Sequence, residues 1–514
     1  MFACQHLPEL TASIAGNVLS PNRILLPFLI TLGFSSTVFG QPWREHGRME
    51  VSKTNPHYLQ YEDSTSFFWL GDTGWEMLHR LNREEIRLYL QNRKVKGFNV
   101  IQATIISEFI HSDKSTNYYG DSILVDEDPS RLATTPGNDP SDDKAYDFWD
   151  HVDYAVQTAA EQGLYLALVP SWGEWVTPRV DKHLFNTSDQ AYRYGNLVGR
   201  RYQDAPNIIW ILGGDRHPDE RKEGIELWRA MAEGIADGIN GSSVMDGKAD
   251  YSTSIMTYHS YNSSSSWFHQ DDWIDFHMWG SYHAEIDNPR AHELARADWN
   301  LREPKPTLNG EPCYEGHGIN YAIDDNGYFT STDVRIAAYW SVFSGSMGIT
   351  YGAHPVWQFT DVQRKKLSPK TLHNWIEGME YHGAQQMGHL RNLMESRPIK
   401  ELNPDTEILS GKEGTCGDFT PVIRGKQFLM VYIPTGKPIN IKMGTIQGIQ
   451  VKAWWFNPRT GESRLIGKFE NKGIRMFSPP GMSEELDWLK TGRGCDWVLI
   501  LDDSSAESLP PGKL

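Results

Sequence analysis

The sequence predicts an α/β protein, a (β/α)8 TIM barrel followed by a small antiparallel β-sandwich. Three observations carry that reading. Short apolar runs, several of them stopped by glycine and an acid, recur eight times between Ser66 and Trp357, mostly with segments of helical period between them. From about Pro398 the helical periods vanish, and β-rich runs separated by Gly, Pro and Asn turns take over. At 514 residues the chain is too long for one ordinary domain, which suits a barrel plus a smaller module.

The elements follow in order. SFFWLGDTGWEML (Ser66 to Leu78) opens with a strand ending at Gly71 and Asp72. Asn82 starts a helix, with Glu85 three residues on as its capping-box partner and Gly97 as its stop. GFNVIQATII (Gly97 to Ile106) is the second strand and delivers Ser107 and Glu108. A polar insertion from His111 to about Asp143 reads as an extended loop over the barrel mouth. The helix Lys144 to Gln162 carries Phe148, Val152, Ala155, Val156 and Ala159 on one face and stops at Gly163. LYLALVPSWGEW (Leu164 to Trp175) is the third strand, ending in Trp172, Glu174 and Trp175.

A helix from Ser188 to Arg201 leads into NIIWILGGDRHP (Asn207 to Pro218), the fourth strand. Its apolar run fits burial on both faces, and two glycines then free Asp215. Helix Ile225 to Ile239, strands Ser252 to Tyr261 and Trp273 to His283, and helix Pro289 to Asn300 continue the period. PKPTLNGEPCYEG (Pro304 to Gly316) is the seventh strand and again places an acid, Glu311, after a glycine with a proline behind it. Helix Ser331 to Gly345 and strand Gly348 to Trp357 complete the eight, and Trp375 to Leu393 is the last barrel helix and the hinge. The expected division is a signal segment over 1–40, the barrel over 41–397 and the sandwich over 398–514.

The chemistry follows from position. Barrel enzymes keep their catalytic groups at the carboxyl ends of the strands. Asp215 alone could be a helix cap, but paired with Glu311 across the mouth it suits glycoside cleavage by two carboxylates. A separation of about 5–5.5 Å would mean retention and about 6.5–9.5 Å inversion, a choice the sequence leaves open. Asp72, Glu108, Trp172, His217, His259, Trp279, Tyr314, His317 and His354 fall at expected strand ends or the loops after them. They are the candidate substrate contacts, each with a structural alternative as a cap, a satisfied histidine or a packed tryptophan.

Other classes are disfavoured. No H-x-H pair marks the first strand, and no H-E-x-x-H or C-x-x-C occurs, so no metal is expected. Glycine loops of G-x-G-x-x-G spacing and a G-x-S-x-G elbow are also missing, so no cofactor and no esterase chemistry is expected. With 49 basic against 66 acidic residues the formal charge is −17, which argues against nucleic acid or an anionic membrane surface as partner. The 19 Trp and 22 Tyr suit sugar stacking, although core packing is their commoner use.

Ile24 to Gly40 is an apolar run behind Arg23 and reads as a secretory signal cleaved near Gly40, so the protein is expected to be exported. The run is too short for a permanent anchor, and Met1 to Asn22 is long for a leader and leaves the start codon open. Cys4 would leave with the signal. Cys416 and Cys495 could bridge, though three remaining thiols do not demand it.

FFWLGDTGWEMLHRL, GFNVIQATII, NIIWILGGDRHP and PTLNGEPCYEG resemble the signature blocks of the apiosidase-like glycoside hydrolases, family 140, over nearly the whole mature chain. The resemblance implies a (β/α)8 catalytic domain with a C-terminal β-sandwich labelled collagen-binding. It also implies Asp215 as acid/base, Glu311 as nucleophile and release of apiose-linked side chains from the pectin rhamnogalacturonan II. Nothing in Gly411 to Asp503 gives a physical reason to bind collagen, and that module is expected to pack against the barrel and stabilise it. The expectation is an exported, metal-independent, retaining glycosidase acting on a plant cell-wall polysaccharide. The alternatives are a carbohydrate- or matrix-binding barrel without catalysis, a metal-dependent hydrolase, and a glycosidase of another linkage.

Overall fold

Eight parallel strands form the centre: β1 (Trp69–Thr73), β2 (Val100–Thr104), β3 (Tyr165–Val169), β4 (Ile208–Gly213), β5 (Met256–His259), β6 (His277–Gly280), β7 (Thr307–Glu311) and β8 (Gly348–Tyr351). Hydrogen-bonded neighbours run β5-β4-β3-β2-β1-β8-β7-β6, so the sheet curls back on itself where β1 meets β8. The barrel predicted from the sequence is the one found. The computed structural model describes residues 40–108, 116–142, 144–178, 183–364, 368, 370–481 and 493–514, within a compact unit spanning Phe39–Leu514. The expected signal segment, 1–40, except for Gly40, and the start of the polar insertion lie outside the described residues.

Helices wrap the strands where local signals start them. α1 (Arg83–Val95) begins at Asn82, whose side chain and that of Glu85 complete the expected capping box. α2 (Phe148–Glu161) starts later than the periodicity suggested, because Asp147 caps it by accepting from the N–H groups of Trp149 and Asp150. The described part of the insertion packs beside these helix starts, with Trp149 Nε1 donating to the Ile123 carbonyl. α3 (Ser188–Arg201) and α4 (Gly224–Ile239) nearly touch backbones. A Cβ at Gly195 or Gly199 would lie 2.4 or 2.2 Å from the carbonyl oxygen of Met231 or Ile235, so only glycine fits.

α5 (Arg290–Trp299), α6 (Ser331–Phe343) and α7 (His382–Glu395) complete the outer layer. The single helix expected from Trp375 to Leu393 is two pieces. Trp375–Gly378 ends, Tyr381 is extended, and α7 then starts afresh. Tertiary contacts decide the break, because the Gly383 N–H donates to the buried Glu315 carboxylate at 3.0 Å instead of to a preceding turn.

The C-terminal region is antiparallel. β9 (Val422–Arg424), β10 (Phe428–Ile433), β12 (Gln450–Phe456), β13 (Ser463–Glu470) and β15 (Trp497–Asp503) form one sheet in the order β9-β10-β15-β12-β13, with Asn403–Pro404 at its edge. β11 (Ile439–Lys442) and β14 (Ile474–Phe477) pair separately. Every residue of β10 is buried, because both of its faces are covered. Leu429 and Val431 join a core with Ile441 and Phe477, whereas Phe428, Met430 and Tyr432 belong to the barrel's core.

Buried charge fixes the junction. Arg335 of α6 holds Asp496 through two hydrogen bonds of 2.8 and 3.0 Å, and Tyr432 and Arg459 donate to the same carboxylate. Cys416 is exposed, Cys495 and Cys313 are buried, and the bridge the sequence permitted is not formed. No helix among the described residues is long and apolar enough to cross a membrane.

Candidate active site

The carboxyl end of β4 turns sharply. Gly213, Gly214 and Asp215 have φ of 85°, 138° and 25°, three successive left-handed residues. Glycine is required at the first two: a Cβ at 213 would meet the His259 carbonyl at 2.4 Å, and one at 214 the Trp172 ring at 2.5 Å. The turn carries Asp215 off the strand, where its Oδ1 accepts a 2.5 Å hydrogen bond from the Tyr282 hydroxyl.

Glu311 ends β7 just after an irregularity in the β6–β7 register. Asn309 steadies that stretch by donating to the hydroxyls of Ser281 and Ser341. The Glu311 carboxylate lies between two imidazoles, with His259 Nε2 3.1 Å from Oε2 and His283 Nε2 3.6 Å from Oε1. The Tyr314 N–H donates to Nδ1 of His283, so in the neutral ring the proton sits on Nε2, facing Glu311. Tyr314 is buried beside them, its hydroxyl accepting from Trp75 Nε1 at 3.1 Å.

The two acids differ in proton affinity. Burial, then the negative charge of Glu311, push Asp215 up to about 6. Burial also opposes ionisation of Glu311, but the two imidazoles of His259 and His283 beside it outweigh this and hold its carboxyl well below the usual range. Glu108 sits well above the ordinary carboxyl value, through burial and then the charges of Asp215, Glu76, Glu311 and Glu174. Trp75 and Trp172 wall the site, each 5.5 Å from the His259 ring, and keep the local dielectric low. One oxygen each of Asp215 and Glu311 and one nitrogen of His259 lie within 4.8 Å of one another. That set could also ligate a divalent cation.

Six of the residues singled out from sequence therefore meet here: Asp215, Glu311, Glu108, Trp172, His259 and Tyr314. His217 stands at the rim, its ring 5.0 Å from Trp267 and half-exposed. His317 stacks on His283 at 4.1 Å, and His354 lies one ring further, 4.5 Å from His317. His354 is buried there, beside His317.

Two expectations are corrected. Asp72 is fully buried and holds Arg93 at 2.7 Å and the Tyr89 hydroxyl at 2.5 Å, both from α1, so it faces the helix layer. Trp279 is likewise fully buried, its Nε1 donating to Thr307. Successive strand residues point to opposite faces, and these two point outward. Tyr282, His283 and Trp75 were missed. Their one signal in the sequence is position, just past the ends of β6 and β1.

Compared with known proteins, residues 53–401 match the family described as "Apiosidase-like, catalytic domain" and residues 403–502 the family described as "Putative collagen-binding domain of a collagenase". No curated protein matches the chain. A solved structure titled "Glycoside hydrolase" is 32% identical with a TM-score of 0.78, covering 91% of this chain and 99% of its own. A crystal structure of a glycoside hydrolase family 5 from Bacteroides vulgatus is 31% identical with a TM-score of 0.77, covering 92% of this chain and 98% of its own.

Proposed function

The chain belongs to the apiosidase-like family and is a glycoside hydrolase, and from that premise we propose that it is an exported, retaining enzyme of plant cell-wall breakdown. Its substrate on this reading is an apiose linkage of rhamnogalacturonan II. The observation that carries the mechanism is the opposed proton affinity of Asp215 and Glu311, whose oxygens come within 4.8 Å. Neighbouring titratable groups pushed apart in this way divide into an acid and a base or nucleophile, and their closeness favours retention.

Asp215, protonated, gives its proton to the glycosidic oxygen as the bond to the anomeric carbon breaks. Glu311, kept ionised by His259 and His283, attacks that carbon and forms a glycosyl ester. The ester carries no charge, so the repulsion that raised Asp215 disappears and its carboxylate becomes stable. Asp215 then takes a proton from water, which attacks the same carbon from the vacated face and releases Glu311. Tyr282 fixes the Asp215 carboxylate throughout. Export rests on the apolar segment Ile24 to Gly40, and the apiose assignment on the family resemblance.

The deciding experiment is product release from rhamnogalacturonan II and a panel of pectic and hemicellulosic glycans, by wild type and Glu311→Gln side by side. Release of apiose-linked products by wild type alone supports substrate and nucleophile together; equal release by both proteins would remove Glu311 from the mechanism. The Asp215, His259 and Glu311 set favours one second reading, a metal-assisted hydrolase. Activity that survives chelation excludes it.

A further inference from the structure

We propose that Tyr321 is a stacking platform for a sugar ring of the substrate, a binding subsite on the loop after β7; this rests on the carbohydrate reading of the site. With 62% of its surface exposed, Tyr321 is the most exposed of the large aromatic side chains among the described residues. Burial of the ring therefore contributes little to the core.

The ring is nonetheless held. Asn320 and Tyr321 have φ of 51° and 60°, two consecutive left-handed residues, neither a glycine. Such a conformation is unfavourable and persists only where the surroundings impose it, which is commonest at functional sites. Here the Asn320 N–H donates to the His283 carbonyl at 2.7 Å, and the Tyr321 N–H to that of Gly318 at 3.0 Å. The ring stands nearly perpendicular to two imidazoles, 5.8 Å from His283 and 5.0 Å from His317. His283 is the group that reaches Glu311, so the platform is one ring removed from that carboxylate. Burial of the hydroxyl, then the charges of Glu311 and Asp215, raise its proton affinity above the ordinary phenol value.

An exposed aromatic face beside a hydrolytic carboxylate pair suits one ligand chemistry. The C–H groups on one side of a sugar ring carry partial positive charge and meet the negative face of the π system, while the sugar hydroxyls stay in water. The predicted ligand is a furanose or pyranose unit of an oligosaccharide lying across the pair.

The test is binding of rhamnogalacturonan II oligosaccharides by titration calorimetry, in a Glu311→Gln background that cannot turn them over, with hydrolysis by the wild type measured alongside. Tyr321→Ala should weaken binding about tenfold, whereas Tyr321→Phe, which keeps the face, should stay within about twofold of the parent. An unchanged melting temperature for both variants checks that the fold is intact. If wild type cleaves the oligosaccharides and Tyr321→Ala binds like its parent, the subsite is overturned and the hydrolase reading stands. Tyr321-dependent binding without any cleavage keeps the subsite and sinks the proposed substrate reaction. No binding at all overturns the subsite.

Discussion

The Tyr282 hydroxyl donates a 2.5 Å hydrogen bond to Oδ1 of Asp215, from a backbone held at φ 53°. A Cβ at Gly280 would fall 2.0 Å from the Tyr282 ring, so the approach also depends on a glycine two residues back. A donor to a carboxylate stabilises its charged form and lowers its pKa. Tyr282→Phe should therefore raise the proton affinity of Asp215 further and move the alkaline limb of kcat/KM to higher pH. A limb that stays in place would show that this bond does not tune the acid.

On the proposed mechanism Asp215 must be protonated for leaving-group departure, and its pKa of about 6 should set the alkaline limb of kcat/KM. Glu311 must be ionised and is held well below the ordinary range, so activity should persist far down the acid side. His259→Ala removes a group that favours the ionised form, so the pKa of Glu311 rises and the acid limb moves up. A pH–rate profile on wild type and variant reads both effects.

The two carboxylates should fail differently. On the proposed mechanism Glu311→Gln leaves no nucleophile and should abolish turnover. Asp215→Asn removes general acid–base assistance and should lower kcat/KM by about 10²–10⁴-fold on natural linkages. The loss should be much smaller on aryl glycosides whose leaving group needs no proton. Equal losses on both substrate types would count against Asp215 as the acid.

Asp72 serves the fold. It forms a fully buried pair with Arg93, and removing one member leaves a buried, unpaired charge. Asp72→Ala should cost about 3–5 kcal/mol of stability, read by chemical denaturation, while kcat/KM of the folded fraction stays within about twofold. A selective rise in KM would instead restore its expected substrate contact.

The barrel and the C-terminal sheet should unfold together. Asp496 takes hydrogen bonds from Arg335, Tyr432 and Arg459 at the junction. Tyr339 of α6 stacks on Tyr432 at 4.5 Å, and the apolar face of β10 completes the barrel's core. Calorimetry should give one transition for wild type, and Asp496→Ala should lower its midpoint without splitting it. Two separate transitions would refute the coupling.

Much of this was legible before folding. The eight runs, the glycines ahead of Asp215 and Glu311, and the change of texture near Pro398 come from local patterning, which needs no tertiary information. Tyr282 and His283 could not be found that way. Their meeting with Asp215 and Glu311 depends on β6 closing beside β7 and on a left-handed backbone, neither of which leaves a composition signal. The broken last helix is a similar case, because the buried Glu315 carboxylate competes for the Gly383 N–H.

Position along the chain was thus determined by sequence: which strand each acid ends, and that two acids stand at the mouth. Direction was decided by the tertiary structure. All five residues of β1 are buried, so no alternation of polar and apolar residues marks which side faces the barrel's interior. Asp72 therefore looked from the sequence like Asp215, a polar residue at the end of a buried strand. In the folded protein Arg93 and Tyr89 of α1 claim one carboxylate for the helix layer, while three left-handed residues turn the other toward Glu311.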